Sequence, residues 1–187
     1  VKDWQQVRSL YYGMVSLIDK NIGRMLTALK DNNLDDNTII VFLSDHGDYL
    51  GDHGMNGKGF HYDSVIRTPL IFYGPDTIKQ QEVSSITSTV DITPTLLEFA
   101  NIEEPIGIQG YSLKEVLQGN SDRVRKAALT ENDDDLVPMR LRTITTKNWK
   151  LNFYLGENFG ELYHRKEDPD ELINLWDEDE YKGIKNK

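Results

Sequence analysis

Residues 39–73 decide the fold: Ile39-Ile40-Val41-Phe42-Leu43, then SDHGDYLGDHGMNGKGFHYDSVIRTP over 44–69, then Leu70-Ile71-Phe72-Tyr73. The first run is β-branched and apolar without alternation, the pattern of a strand covered on both faces in a parallel sheet. The second, Pro69 to Tyr73, closes on Gly74-Pro75. Upstream, Trp4, Val7, Tyr11, Met14, Ile18, Ile22, Met25 and Leu29 recur at steps of three and four, which predicts one long helix ending at Asp31-Asn32-Asn33. Downstream, Asp91-Ile92-Thr93-Pro94 reads as an N-cap leading into the helix Thr95 to Ala100. Helix, buried strand, loop, strand, helix is an α/β organisation.

After about Asn120 the character changes. Met139 to Thr146 and Trp149 to Leu155 read as two strands flanking Lys147-Asn148, a hairpin. Glu161-Leu162-Tyr163 adds a strand, Asp168-Pro169 a turn, and Glu171 to Trp176 a short terminal helix. The expected division is therefore an α/β core over 1–120 and a small antiparallel α+β subdomain over 121–187.

The chain of 187 residues has 31 acidic against 21 basic side chains, a formal charge of -10. That balance disfavours nucleic acid, whose phosphates call for a concentrated basic surface. Absence of cysteine excludes disulfides, thiolate ligands and cysteine nucleophiles. No apolar run approaches the roughly 20 residues that span a bilayer. The opening at Val1, almost directly into a helical pattern, suggests a fragment or a processed product.

Chemistry concentrates between Ser44 and His61, which hold three histidines, three aspartates, five glycines and one lysine. Asp45 and His46 stand at the carboxyl end of the first strand, where open α/β sheets hold their ligands, and two ligand-type side chains there suggest a metal. Alone, the pair reads as a turn cap beside a satisfied polar histidine. The glycine-rich loop that follows alters this, since Gly47, Gly51, Gly54, Gly57 and Gly59 permit backbone approaches that side chains block. Lys58 is the one cation within that loop, placed to meet an anionic substrate and offset charge in the transition state.

Ser44-Asp45-His46-Gly47, Gly51-Asp52-His53-Gly54, Lys58 and Arg67-Thr68-Pro69-Leu70-Ile71 together resemble the signature of the sulfatase family, within the alkaline phosphatase superfamily. Tyr11-Tyr12, Asp19 and Gly23-Arg24 resemble the helix before that motif, and Val90 to Leu97 the helix after it. Gly110 to Leu113 and Glu161-Leu162-Tyr163 with Asp168-Pro169 resemble later landmarks.

The resemblance implies the C-terminal part of an alkaline-phosphatase-like sandwich with a largely parallel sheet, and sulfate-ester hydrolysis by a formylglycine hydrate beside a divalent cation. Asp45 and His46 would be metal ligands, His46 replacing the asparagine of some members. Lys58 would contact the sulfate or leaving-group oxygen. Calcium is the family's usual ion, while an imidazole nitrogen also suits manganese or zinc, and magnesium is a further candidate. His53 and His61 are secondary candidates, for contact with substrate or for bracing the loop. Arg67 reads as structural.

The nucleophile motif, the upstream acidic ligand pair and the upstream catalytic histidine are absent from these residues, so the chain alone is expected to be inactive and to complete its site with the remainder of its own catalytic domain. The expected substrate is a sulfate-ester small molecule or a sulfated glycan, and the expected location periplasmic, extracellular or lysosomal. Rival readings are a phosphate or phosphonate ester hydrolase or a phosphoglycerol transferase of the same superfamily, and a non-catalytic metal- or carbohydrate-binding module.

Overall fold

The computed structural model describes residues 2–75, 78–134 and 139–185. The periodic segment forms a single helix, α1 (Lys2–Asp31). A short link leads to strand β1 (Ile40–Leu43), the loop 44–69 with its one-turn helix α2 (Asp63–Ile66), and strand β2 (Leu70–Tyr73). Helix α3 (Ile92–Phe99) and the short α4 (Lys114–Leu117) follow. Strands β3 (Ala127–Asp134), β4 (Met139–Thr146), β5 (Trp149–Tyr154) and β6 (Gly160–His164) form one antiparallel sheet in sequence order, and α5 (Lys182–Lys185) comes last.

The expectation that β1 pairs in parallel is not met by its one neighbour among the described residues: β2 pairs with it antiparallel, with Ile40 opposite Tyr73 and Leu43 opposite Leu70. An unalternating apolar run says nothing of the direction of a strand's neighbour. Phe42, Leu43, Ile71 and Tyr73 are exposed here, as are Leu10, Met14, Leu17, Ile18 and Met25 on α1. The tightly packed core lies instead where the loop 44–69 meets the four-stranded sheet: Tyr49, Val65, Leu141, Tyr154, Leu162 and Tyr163 are all buried.

The predicted hairpin is β4–β5, with Thr143 opposite Asn152. The predicted strand at Glu161 is β6, but β3 was not foreseen. The start of α3 moves back a turn. Ser88 caps the preceding 3-10 turn in a capping box with Asp91, whose Oδ2 accepts the Ser88 amide at 2.8 Å. The helix predicted over Glu171 to Trp176 does not form. Glu171 has φ +55°, outside the helical region, and Asp168 accepts the amides of Leu172 and Ile173 at 3.0 and 2.8 Å.

Candidate active site

The rim at the end of β1 is shaped by its own short side chains. Ser44 Oγ donates to the His46 carbonyl at 2.8 Å, and the His46 amide donates to Asp45 Oδ1 at 2.8 Å. That backbone N–H is the main reason the Asp45 carboxyl titrates below the usual carboxylate range. Gly47 then passes against α2: its amide donates to the Val65 carbonyl at 2.7 Å, and a Cβ there would stand 2.0 Å from the Ser64 carbonyl oxygen. Only glycine fits this crossing.

His46 Nδ1 lies 2.7 Å from the Gly47 carbonyl oxygen. A carbonyl only accepts, so Nδ1 carries the ring proton and Nε2 keeps its lone pair. That lone pair faces Lys58 Nζ at 2.7 Å, and Asp45 Oδ2 is 3.5 Å from the same nitrogen. The structure thus brings Asp45, His46 and Lys58 to one point. A backbone bond that fixes the tautomer and aims Nε2 outward is the usual support of a histidine metal ligand.

Lys58 stands between Gly57 (φ +77°) and Gly59 (φ +148°), conformations closed to most side chains. The loop on either side is fastened. Tyr49 is buried and its hydroxyl bridges the Phe60 backbone, donating to the carbonyl at 2.9 Å and accepting from the amide at 2.5 Å. Asp48 Oδ1 accepts the amides of Leu50 and Gly57 at 2.9 and 3.3 Å. Asn132 on β3 donates to the Gly59 carbonyl at 2.9 Å. From α1, Arg8 donates to the Leu50 carbonyl at 2.7 Å and pairs with Asp52 at 3.0 Å.

The other two histidines stand elsewhere. His53 is exposed and stacks on Tyr62 with ring centres 3.7 Å apart. His61 is 4% exposed under the four-stranded sheet, its Nδ1 2.7 Å from Thr143 Oγ1. Thr143 donates onward to Asn152 Oδ1 at 2.6 Å, so it accepts from His61, and Asn152 donates to Glu161 at 2.6 Å. Burial, aided by Lys150 and Arg142, lowers the His61 pKa to about 4, which keeps the ring neutral.

Sequence reasoning missed a buried ionic centre that anchors the loop. Lys150 on β5 is wholly buried, pairs with Asp63 and Glu171, and donates to the His61 carbonyl at 3.2 Å. Glu171 Oε2 accepts the Asp63 amide at 2.7 Å. Burial lifts Glu171 above the usual range despite Lys150. Asp63 is pushed up by burial too, but Lys150 and Arg165 outweigh it and hold its carboxyl low. The one signal in the sequence was Lys150 standing in phase with the inward positions Asn152 and Tyr154.

The family model for the C-terminal region of N-sulphoglucosamine sulphohydrolase matches residues 51–187. The chain belongs to the sulfatase family. This sulfatase sequence also matches, over residues 10–69, the model for type I phosphodiesterase / nucleotide pyrophosphatase. It is 40% identical over 186 residues to an N-acetylglucosamine-6-O-sulfatase of Bacteroides thetaiotaomicron, covering 95% of this chain and 33% of that protein. It is 32% identical to an arylsulfatase of Clostridium perfringens, covering 97% of this chain and 38% of that one. The chain therefore spans between a third and two-fifths of these relatives.

Among solved structures, one bound to its substrate D-glucosamine-2-N,6-O-disulfate superposes on the sulfatase chain with a TM-score of 0.85 at 39% identity, over 92% of this chain and 36% of that one. The phosphonate monoester hydrolase of Agrobacterium radiobacter gives 0.88 at 30% identity, over 98% and 40%. Among the described residues no helix is long and apolar enough to cross a membrane, and no group of three or more His, Asp or Glu gathers as a metal site.

Proposed function

We propose that this chain supplies the Asp45–His46–Lys58 part of a site that hydrolyses sulfate esters, within a larger sulfatase. The observation that carries the reading is the meeting of a carboxylate, an imidazole lone pair and an ammonium at the end of β1. Asp45 and His46 Nε2 fit a divalent cation as two of its ligands. Bound there, the cation would offset the charge of the sulfate oxygens and polarise the ester.

The Nε2 lone pair serves one partner at a time. A cation held by Asp45 and His46 would take the lone pair that now faces Lys58, and the ammonium would then be available to the anionic substrate. Held between two fastened glycines, it stabilises negative charge on the departing oxygen without acting as a base. The oxygen of Asp45 suits calcium or magnesium and the nitrogen of His46 suits manganese or zinc. The nucleophile and remaining ligands come from outside these residues.

The relatives named for glucosamine sulfates favour a sulfated amino sugar as substrate. A second reading, phosphonate monoester hydrolysis, is favoured by the close superposition on the hydrolase of that name. Assay of the complete protein on glucosamine 6-sulfate, p-nitrophenyl sulfate and a phenylphosphonate monoester tests both. Sulfate-ester turnover lost in Lys58→Ala supports the first reading; turnover of the phosphonate alone establishes the second.

A further inference from the structure

A cleft of about 490 Å³ opens where the β4–β5 turn meets residues 84–86 and 122–126, and it shares no residue with the loop 44–69. Its walls are joined by a β-bridge between Ile86 and Arg125 and by Ser85 Oγ, which accepts the Val124 amide at 2.8 Å. Arg125 is committed to the structure: it pairs with the wholly buried Asp91, and its guanidinium lies 4.7 Å over the Tyr111 ring.

The other cations of the cleft are uncommitted. Arg123, Lys126 and Lys147 are exposed and enter no ion pair among the described residues. Asp122 is the one carboxylate of the lining. In a chain of formal charge -10 this is a local inversion of sign. A cleft with low-dielectric walls focuses such a field on an anion. Ser84, Thr146 and Asn148 add polar groups that meet the hydroxyls of a sugar, and Trp149, whose ring packs against His164 and Tyr181, completes the lining. The volume falls in the range of about 300–1,000 Å³ typical of small-molecule sites. A long phosphate backbone is disfavoured by the chain's formal charge of -10.

We propose that this cleft is a second saccharide subsite, binding a sulfate-bearing unit of an oligosaccharide apart from the hydrolytic centre. The identity of the anion rests on the sulfatase reading; the cleft and its charge do not.

The test uses the complete protein, with calorimetric binding of a sulfated heparin hexasaccharide, the desulfated hexasaccharide and inorganic sulfate. Lys126→Ala/Lys147→Ala, with Arg123→Ala as a second variant, is compared with the exposed control pair Lys166→Ala/Lys182→Ala. Thermal unfolding verifies that each variant is folded. The expected result is a loss of at least tenfold in affinity for the sulfated hexasaccharide in both cleft variants, none in the control, and no binding of the desulfated chain. Equal affinity in the cleft variants, an equal loss in the control, or inorganic sulfate binding as tightly as the hexasaccharide overturns the proposal. Sulfate-ester hydrolysis is read separately. A protein that hydrolyses sulfate esters while its cleft variants bind normally refutes the subsite alone. Cleft-dependent binding without any hydrolysis refutes the proposed function and leaves the subsite standing.

Discussion

Lys58 Nζ and His46 Nε2 lie 2.7 Å apart across twelve residues of glycine-rich loop. The contact couples the group proposed to meet the substrate to the group proposed to meet the cation.

In the complete enzyme Lys58→Ala is expected to lower sulfate-ester kcat by about 10²–10³, the cost of losing one charge-stabilising donor. Its unfolding midpoint should match wild type, because the side chain braces nothing else. Steady-state kinetics with a urea melt checks this, and undiminished kcat removes Lys58 from the mechanism.

Calcium should bind this chain by itself more weakly than micromolar. Asp45 and His46 are two ligands, where calcium takes about six to eight. Titration calorimetry on wild type and Asp45→Ala decides: a micromolar site would place the cation on other oxygens.

Gly47→Ala should destabilise the fold by about 1–3 kcal/mol, the range for overpacking. The new Cβ meets the Ser64 carbonyl at 2.0 Å, and backbone cannot swing aside like a side chain. A denaturation midpoint like that of wild type would show that the crossing relaxes freely.

Lys150→Met leaves Asp63 and Glu171 facing each other without their shared cation. Breaking a buried pair costs about 3–5 kcal/mol. The triple replacement Lys150→Met/Asp63→Asn/Glu171→Gln should recover part of that loss in the same melts. No recovery would mean that packing, rather than charge, sets the cost.

His61 confers a pH dependence whose sign follows from its lowered pKa. Its folded value is about 4, below its ordinary value of 6.5, so between these the unfolded chain binds the extra proton. Stability is therefore complete above about pH 6.5 and falls by on the order of 3 kcal/mol as pH drops to 4. Asn at position 61 keeps a donor for Thr143 but does not titrate. The wild-type minus His61→Asn difference in urea stability at pH 4.5 and 7 should carry this slope, and equal slopes would refute it.

Most local patterns read true, although the helix expected over Glu171 to Trp176 did not form, and non-local pairing was not legible. The three-four spacing from Trp4 to Leu29 describes α1 because helical hydrogen bonds join near neighbours. The run Ile39 to Leu43 gave a strand, but its antiparallel partner Leu70–Tyr73 is reached only through the whole intervening loop. Strand β3 escaped because Thr130-Glu131-Asn132-Asp133 is polar, and pairing with β4 overrides its composition. At the site, Asp45, His46 and Lys58 were legible as residue types at a strand end. The roles of His61 and Lys150 were not: a histidine pinned by Thr143 and a histidine facing solvent look alike in one dimension. Lys150 would ordinarily be counted as surface, since lysine is seldom fully buried without a partner.

Asn132, which donates to the Gly59 carbonyl, and Thr143, which takes His61, sit on neighbouring strands. Strand alternation makes both contacts hostage to a single alignment. Sliding β3 or β4 by one residue would turn either side chain to the opposite face. The antiparallel sheet therefore works as a ruler for the loop beside it: substitutions along its outer face are tolerable, whereas one inserted or deleted residue within β3 or β4 would move Lys58 without touching it.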